Sequence, residues 1–287
     1  MLLPLPARKA VRRGLDSFGE HTSAVRMLPD YIIIGAMKGG TSALYEYLVR
    51  HPLIARSTNE EVHYFSLNYE RGPNWYRGHF PTVMRKQLVK MRCGRGLLTG
   101  ESTPYYIFHP HALERIVALV PNAKLIVVLR DPVSRAYSHY NHARQMGVED
   151  IESFEEALDA EPERLRGEVE RMIADPTYNS PAHWHNSYQS RGLYVDQLQR
   201  LYSLVPEQQV LILSAEEMSE NPARVHQKAL EFLGLPIVKL SQYPRHNARR
   251  YGKPMDAPAR QRLIEYFTEP NERLYEFLGI DFGWARA

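Results

Sequence analysis

Residues Tyr31 to Leu48, YIIIGAMKGGTSALYEYL, constrain the fold more than any other stretch. Tyr31 to Ile34 have no polar face and read as a strand buried on both sides. Gly35 to Gly40 make a glycine-rich turn, and Thr41, Ser42, Leu44, Tyr45 and Leu48 follow in a helix. A strand delivered through glycines to a helix N-terminus is an anion site. The backbone approaches a phosphate closely, the first helical N–H groups point at it, and the helix dipole favours negative charge there. Gly35 and Gly40 have the spacing of a nucleotide phosphate loop, but Thr41 follows Gly40 directly and the lysine lies inside the loop, at Lys38. The plainer alternative is a tight Gly39-Gly40 turn before an ordinary helix; strand, loop lysine, hydroxyl pair and helix together favour the phosphate site.

A nucleoside-triphosphate enzyme also needs magnesium, held by a loop hydroxyl and an acidic residue ending a later strand. Here the apolar strand Lys124 to Leu129 ends in Arg130-Asp131-Pro132, with the cation first. That order points to a second anionic group on the ligand, bound without a metal. In the helix that follows, Arg135, Ser138 and His142 share one side. Arg130, Ser138 and the helix N-terminus could together hold a second phosphate; a capped helix with a solvated basic side is the alternative. His139 and His142 lack a third ligand, so no metal site is read.

Between these elements lies RSTNEEVHYF, where extended alternation puts Glu61, His63 and Phe65 on one face. A carboxylate beside an imidazole is an acid/base pair, or else a solvated glutamate and a satisfied histidine. Asn74, Trp75, Tyr76 and Phe80 read as core. A strand ending at Gly100-Glu101 brings Glu101, Ser102 and Tyr105 near the site if it runs parallel to the first, because ligands sit at the carboxyl ends of such strands. Four strand-like runs alternating with helices predict an α/β fold of three layers, a P-loop-like central and mainly parallel sheet flanked by helices.

With 287 residues, 44% of them hydrophobic, the chain is long enough for one large domain. Residues 1–29 read as a loose basic arm and residues 30–287 as the domain, with a helical acidic insert at about 147–186 whose charges form a solvated face or a lid. A net charge of +3 does not demand a nucleic-acid partner, and the single Cys93 excludes an intrachain disulfide framework. The apolar runs are too short to span a bilayer, and the first residues lack a signal-peptide core, which predicts a cytoplasmic protein. A basic loop carrying Arg249, Arg250 and Tyr251 could close over a nucleotide.

Four stretches in order, MKGGTSAL, NEEVHYF, LIVVLRDPVSRAYSHY and EYFTEPNERLYEFLG, make the chain resemble the sulfotransferases dependent on PAPS, 3′-phosphoadenosine 5′-phosphosulfate. Within that family the resemblance is to the heparan-sulfate branch and its bacterial relatives. It implies that Lys38, Gly39, Gly40, Thr41 and Ser42 cradle the 5′-phosphosulfate, that Arg130 and Ser138 hold the 3′-phosphate, and that Arg249, Arg250 and Tyr251 belong to a late cofactor-covering loop. It further implies Glu61 as the acceptor's base, with His63 beside it and Lys38 at the reacting group. PAPS would be the donor, PAP the product and no metal required. The acceptor would be a glycan, lipid or other small molecule, sulfated on a hydroxyl or an amine. One departure stands out: the heparan-sulfate enzymes carry a lysine in E-K-T-P, whereas this chain reads Glu101-Ser102-Thr103-Pro104. Lys38 then suffices, or Arg135 or His63 contributes the missing cation. A P-loop kinase and a non-catalytic nucleotide-binding protein are the alternative readings.

Overall fold

The computed structural model describes residues 14–244 and 254–287. Its sheet has strands β1 (Tyr31–Gly35), β2 (Ile54–Arg56), β3 (Leu98–Ser102), β4 (Lys124–Leu129) and β5 (Val210–Ser214), all parallel, in the order β2-β3-β1-β4-β5. Helices α1 (Thr41–Leu48), α2 (Gly72–Arg77), α3 (Val83–Cys93), α4 (Ala112–Leu119) and α5 (Pro132–Met146) alternate with the strands. Three further helices, α6 (Phe154–Leu165), α7 (Glu168–Ala174) and α8 (Pro181–His185), precede α9 (Tyr194–Leu204). After β5 come α10 (Ala215–Glu220), α11 (Pro222–Leu233) and α12 (Ala257–Leu278).

The three expected layers follow from alternation along strands that carry apolar residues on both faces. Ile32, Ile34, Leu125 and Val127 pack against α4, α9 and the end of α12 through Ile116, Leu198, Leu201 and Leu274. Tyr31, Ile33, Ile126 and Val128 face the other way, against Leu44 and Leu48 of α1 and Val225 and Leu230 of α11. A third core joins α5, α6 and α12 through Val133, Tyr140, Phe154, Leu158, Leu263 and Phe267.

The fold departs from the sequence reading in three places. The sheet has a fifth strand, β2, only three residues long and therefore without a legible period. Glu61 to Phe65 do not form an extended run, because His63 has φ +55° and turns the chain; Phe65 goes into the core while Glu61 stays exposed. Part of the stretch read as a loose arm packs on the fold. Ser23 and Met27 are buried, Arg26 bridges to Thr82, and its Nη1 donates to the Phe80 carbonyl at 2.8 Å. Among the described residues no helix is long and apolar enough to cross a membrane.

The acidic segment is not simply a solvated face, because two of its carboxylates are buried and structural. Glu161 accepts from the Gln189 and Ser190 amides at 2.6 and 2.9 Å. Glu149 takes both Arg164 Nη groups at 2.6 and 3.1 Å and the Tyr188 hydroxyl at 2.7 Å. Burial pushes the Glu149 carboxyl up, but Arg164, Tyr188 and the Ile151 amide together outweigh it and bring it from 4.5 down to about 2. A carboxyl depressed in the folded state stabilises above its unfolded pKa and loses that contribution as pH falls through the folded one, here between about 4.5 and 2, for about 3 kcal/mol. Melting temperature is therefore expected to drop across this window in wild type and to change much less in Glu149→Gln. Equal slopes in the two proteins would sink the assignment.

Candidate active site

The loops leaving the carboxyl ends of β1, β3, β4 and β5 enclose a cavity of about 680 Å³. It lies where the chain, having built β2 and β3 on one side of β1, crosses to β4 on the other. Such a switch point opens a crevice between the diverging loops.

After β1 the loop folds hard against the end of β4. The Ala36 amide donates to the Val128 carbonyl at 2.9 Å, and a Cβ on Gly39 would sit 2.3 Å from that same oxygen. Lys38 and Gly40 both have positive φ, +68° and +94°, so the chain curls before Thr41 and Ser42 open α1. A Cβ on Gly40 would also lie 2.5 Å from the Met218 methyl. At Gly39 and Gly40 only glycine fits this cradle. The Ser42 hydroxyl donates to Glu60, whose carboxyl is pushed up chiefly by burial.

From β4, Arg130 reaches back and donates through Nη1 to the Lys38 carbonyl at 3.0 Å. Asp131 caps α5, accepting from the Val133 and Ser134 amides at 3.2 and 3.1 Å. This cap fixes the helix that carries Ser134, Ser138, His139 and His142 into the cavity wall. Lys38, Gly39, Gly40, Thr41, Ser42, Arg130 and Ser138 thus surround one space.

Glu61 and His63 face the same space, with His63 Nε2 3.0 Å from Glu61 Oε2. The Glu61 side chain is 42% exposed and His63 16%, so the carboxylate is open to a ligand while the imidazole is packed behind it. Their support is Glu101 at the end of β3, fully buried, which accepts from the Val62 amide at 3.2 Å and from the Tyr76, Thr103 and Tyr106 hydroxyls at 2.7, 2.6 and 3.1 Å. The Thr103 hydroxyl also lies 3.3 Å from the His63 amide. Glu101 therefore acts from beneath the site and not as a lining residue.

Some expected neighbours are elsewhere. Arg135 points into the third core, donates to the Tyr188 carbonyl and does not line the cavity. Helical spacing placed it beside Ser138, but burial, which lowers its pKa, shows it on the inward side of α5. Trp75 and Tyr76 are core residues, as expected, and so is Tyr106, whereas Tyr105 lines the cavity. Ser102, at the missing-lysine position, is buried and outside the lining. Arg249, Arg250 and Tyr251 lie outside the described residues. Among the described residues no three His, Cys, Asp or Glu side chains are grouped as a metal would require.

Other lining residues escaped the sequence reading. Trp184 and His185, at the end of the acidic segment, reach the wall beside Glu61 and His63. His139 is buried against the cavity, and neither ring nitrogen has a hydrogen-bond partner among the described residues. Burial first, then the nearby Arg191 and Arg135, push its pKa well below the usual imidazole range, so the ring is neutral. The local signal for the former pair was AHWH, an aromatic and imidazole cluster closing an otherwise charged stretch.

Residues 28–250 match the family model described as the sulfotransferase domain. Over 91% of its length the chain is 31% identical to the human heparan sulfate glucosamine 3-O-sulfotransferase 6, of which it spans 75%. Over 90% it is 28% identical to the membrane-associated sulfotransferase kil1 of Dictyostelium discoideum, spanning 66% of that protein. The crystal structure of a sulfotransferase from Alicyclobacillus acidocaldarius superimposes with a TM-score of 0.67 at 29% identity, covering 89% of this chain and 98% of the other. The chain belongs to the sulfotransferase family, in its PAPS-dependent, heparan-sulfate-like branch.

Proposed function

We propose that this protein moves a sulfuryl group from PAPS to a hydroxyl or amine of a glycan or small-molecule acceptor, by in-line transfer with Glu61 as the general base. The observation that carries this reading is the Glu61–His63 pair, 3.0 Å apart, on the wall of the cavity that holds the glycine loop. The cradle fits the cofactor: at Gly39 and Gly40 only glycine leaves room for the curled loop, and Lys38 and Arg130 supply positive charge on the same side. Lys38 to Ser42 would hold its 5′ end, and Arg130 with Ser138 the 3′-phosphate. When bound, PAPS supplies the activated sulfuryl group and leaves as PAP.

The chain's own residues do the rest. Glu61 takes the proton of the attacking hydroxyl or amine, so that the nucleophile need not carry positive charge into the transition state. His63 holds the Glu61 carboxylate in place. Lys38 and the loop N–H groups stabilise negative charge building on the leaving phosphate oxygen, and helix α1 adds its N-terminal dipole. Of the two cations considered for the absent lysine, His63 adjoins the cavity and Arg135 does not, which leaves Lys38 and His63 to serve. The same reading assigns no metal and no nucleic-acid partner, and places the protein in the cytoplasm. A kinase reading loses ground because the strand that ends at Leu129 presents Arg130 to the cavity where a metal-binding acid would stand.

Calorimetric titration with PAP, beside ATP with magnesium, tests the cofactor. PAP is expected to bind tightly and ATP poorly, and Arg130→Ala is expected to weaken PAP about 10- to 100-fold, the worth of a charge-assisted phosphate contact. Preference for ATP with magnesium, or unchanged PAP affinity in the variant, would sink the reading.

A further inference from the structure

Helix α3 (Val83–Cys93) is built the opposite way round from an ordinary surface helix, which turns its apolar stripe to the core and its charges to water. No residue of α3 is buried. Its inward contacts are Val89, which packs on the core beneath α1 and α11, and Lys86, whose Nζ donates to Asp30 Oδ1 at 3.1 Å. The residues at i, i+4 and i+7, Met84, Leu88 and Met91, share the outward side and are 70, 43 and 75% exposed. Single apolar residues scattered on a surface need no explanation; three in one row along the solvent side of one helix do.

Positive charge follows the row. By the same spacing Arg85 and Arg92 run along one edge of it and Lys90 along the other, and all three are exposed. None of them forms an ion pair with a described residue. From Val83 to Arg95 the chain carries Arg85, Lys86, Lys90, Arg92 and Arg95 and no acid, and residues 1–13 and 245–253, which lie outside the described ones, contain no acid either. A further apolar group, Phe18, 63% exposed, stands beside the start of the helix. Arg26 lies 5.7 Å from the Phe18 ring and donates through Nη1 to the Phe80 carbonyl at 2.8 Å. The stretch around Phe18 also holds Asp16 and Glu20, so the cationic part of this surface is α3 itself.

The combination separates three kinds of partner. A soluble polyanion would use the cations and leave Met84, Leu88 and Met91 in water. A second copy meeting face to face would cover the row, but would bring two sets of unpaired cations together at close range. A lipid surface with anionic headgroups takes both features at once, apolar side chains into the acyl boundary and flanking cations at the phosphates.

We infer that α3 docks this protein on an anionic lipid bilayer, lying in the plane of the surface, with Met84, Leu88 and Met91 inserted and Arg85, Lys90 and Arg92 at the headgroups. None of these six residues lines the catalytic cavity, so the surface is separate from the site of sulfuryl transfer. The attachment is peripheral and reversible, since one short helix inserts only three side chains.

Vesicle flotation of the full chain tests it, with vesicles of phosphatidylcholine alone and of phosphatidylcholine containing about 30% phosphatidylglycerol as an anionic surface. Wild type is expected to float with the anionic vesicles, to bind the neutral ones far more weakly, and to be released as salt rises. Replacing the cations together (Arg85→Gln, Lys90→Gln, Arg92→Gln) is expected to weaken binding to anionic vesicles about 100-fold. Replacing the row (Met84→Ser, Leu88→Ser, Met91→Ser) is expected to weaken it at least about 10-fold. Both variants are expected to keep the wild-type affinity for PAP and the wild-type thermal midpoint, because every substituted side chain is exposed. The inference is overturned if wild type stays with the unbound protein. It is equally overturned if the serine variant floats like wild type, which would make α3 a site for a soluble polyanion. A serine variant that melts several degrees lower, or that turns a dimer into a monomer in sedimentation without lipid, would overturn it too, since the row would then be covered by this chain or its copy.

Discussion

Glu61→Gln is expected to lower turnover by about 10²- to 10⁴-fold, the usual worth of one general base, while PAP affinity stays at the wild-type value. The substitution keeps the side-chain length and can still accept a hydrogen bond from His63, which stands 3.0 Å from the carboxylate. It removes the ability to take a proton. Because the side chain is 42% exposed, the change leaves no buried group without a partner, and the thermal midpoint is expected to move little. Rate and binding are read separately, by steady-state sulfation with radiolabelled PAPS and by calorimetry with PAP. Turnover within a few-fold of wild type would remove Glu61 from the mechanism.

Glu101→Ala is expected to damage both stability and rate. The carboxylate is fully buried and accepts from one amide and three hydroxyls, at 3.2, 2.7, 2.6 and 3.1 Å. Burial pushes its pKa up, and those donors act in the opposite direction. Alanine would leave the Val62 amide and the Tyr76 and Tyr106 hydroxyls without their acceptor, in a place that water does not reach. At about 1–3 kcal/mol for each group left unsatisfied, and with some reorientation of the hydroxyls, the loss is about 3 to 5 kcal/mol. Val62 sits between Glu61 and His63, so turnover should also fall at temperatures where the variant remains folded. Thermal denaturation and turnover measured together, with Glu101→Gln as the milder companion, check both expectations. A variant as stable as wild type would mean that the buried network contributes nothing net.

What sequence could show of this protein divides by range. The phosphate loop was legible because its requirements are local: an apolar strand, glycines where the chain must curl, and hydroxyls at a helix start. Glu61 and His63 were legible as a pair for the same reason, although the extended geometry assigned to them was not, since the turn at His63 depends on Asn68 and Thr103. Asn68 donates its amide to the His63 carbonyl at 2.9 Å, and Thr103 arrives from another strand. Arg135 misled because helical spacing tells which residues share a side but not which side faces the core, and buried arginines are uncommon. Trp184 sits in a legible aromatic and imidazole cluster, AHWH, but nothing local says that it lines the cavity: its carbonyl is held by Arg191 and its ring packs against Tyr105, which comes from another part of the chain.

The order of strands also bears on how the protein is made. Tyr31 pairs with Gly100 on one side and Lys124 on the other, so β1 has no neighbouring strand to pair with until β3 has been synthesised. At about 5–20 residues per second, this apolar segment leaves the ribosome as a bare strand and waits several seconds for its partners. Yield in a cell is then set by how well Tyr31 to Gly35 is shielded during that interval, and a variant can be poorly recovered while its finished form is as stable as wild type.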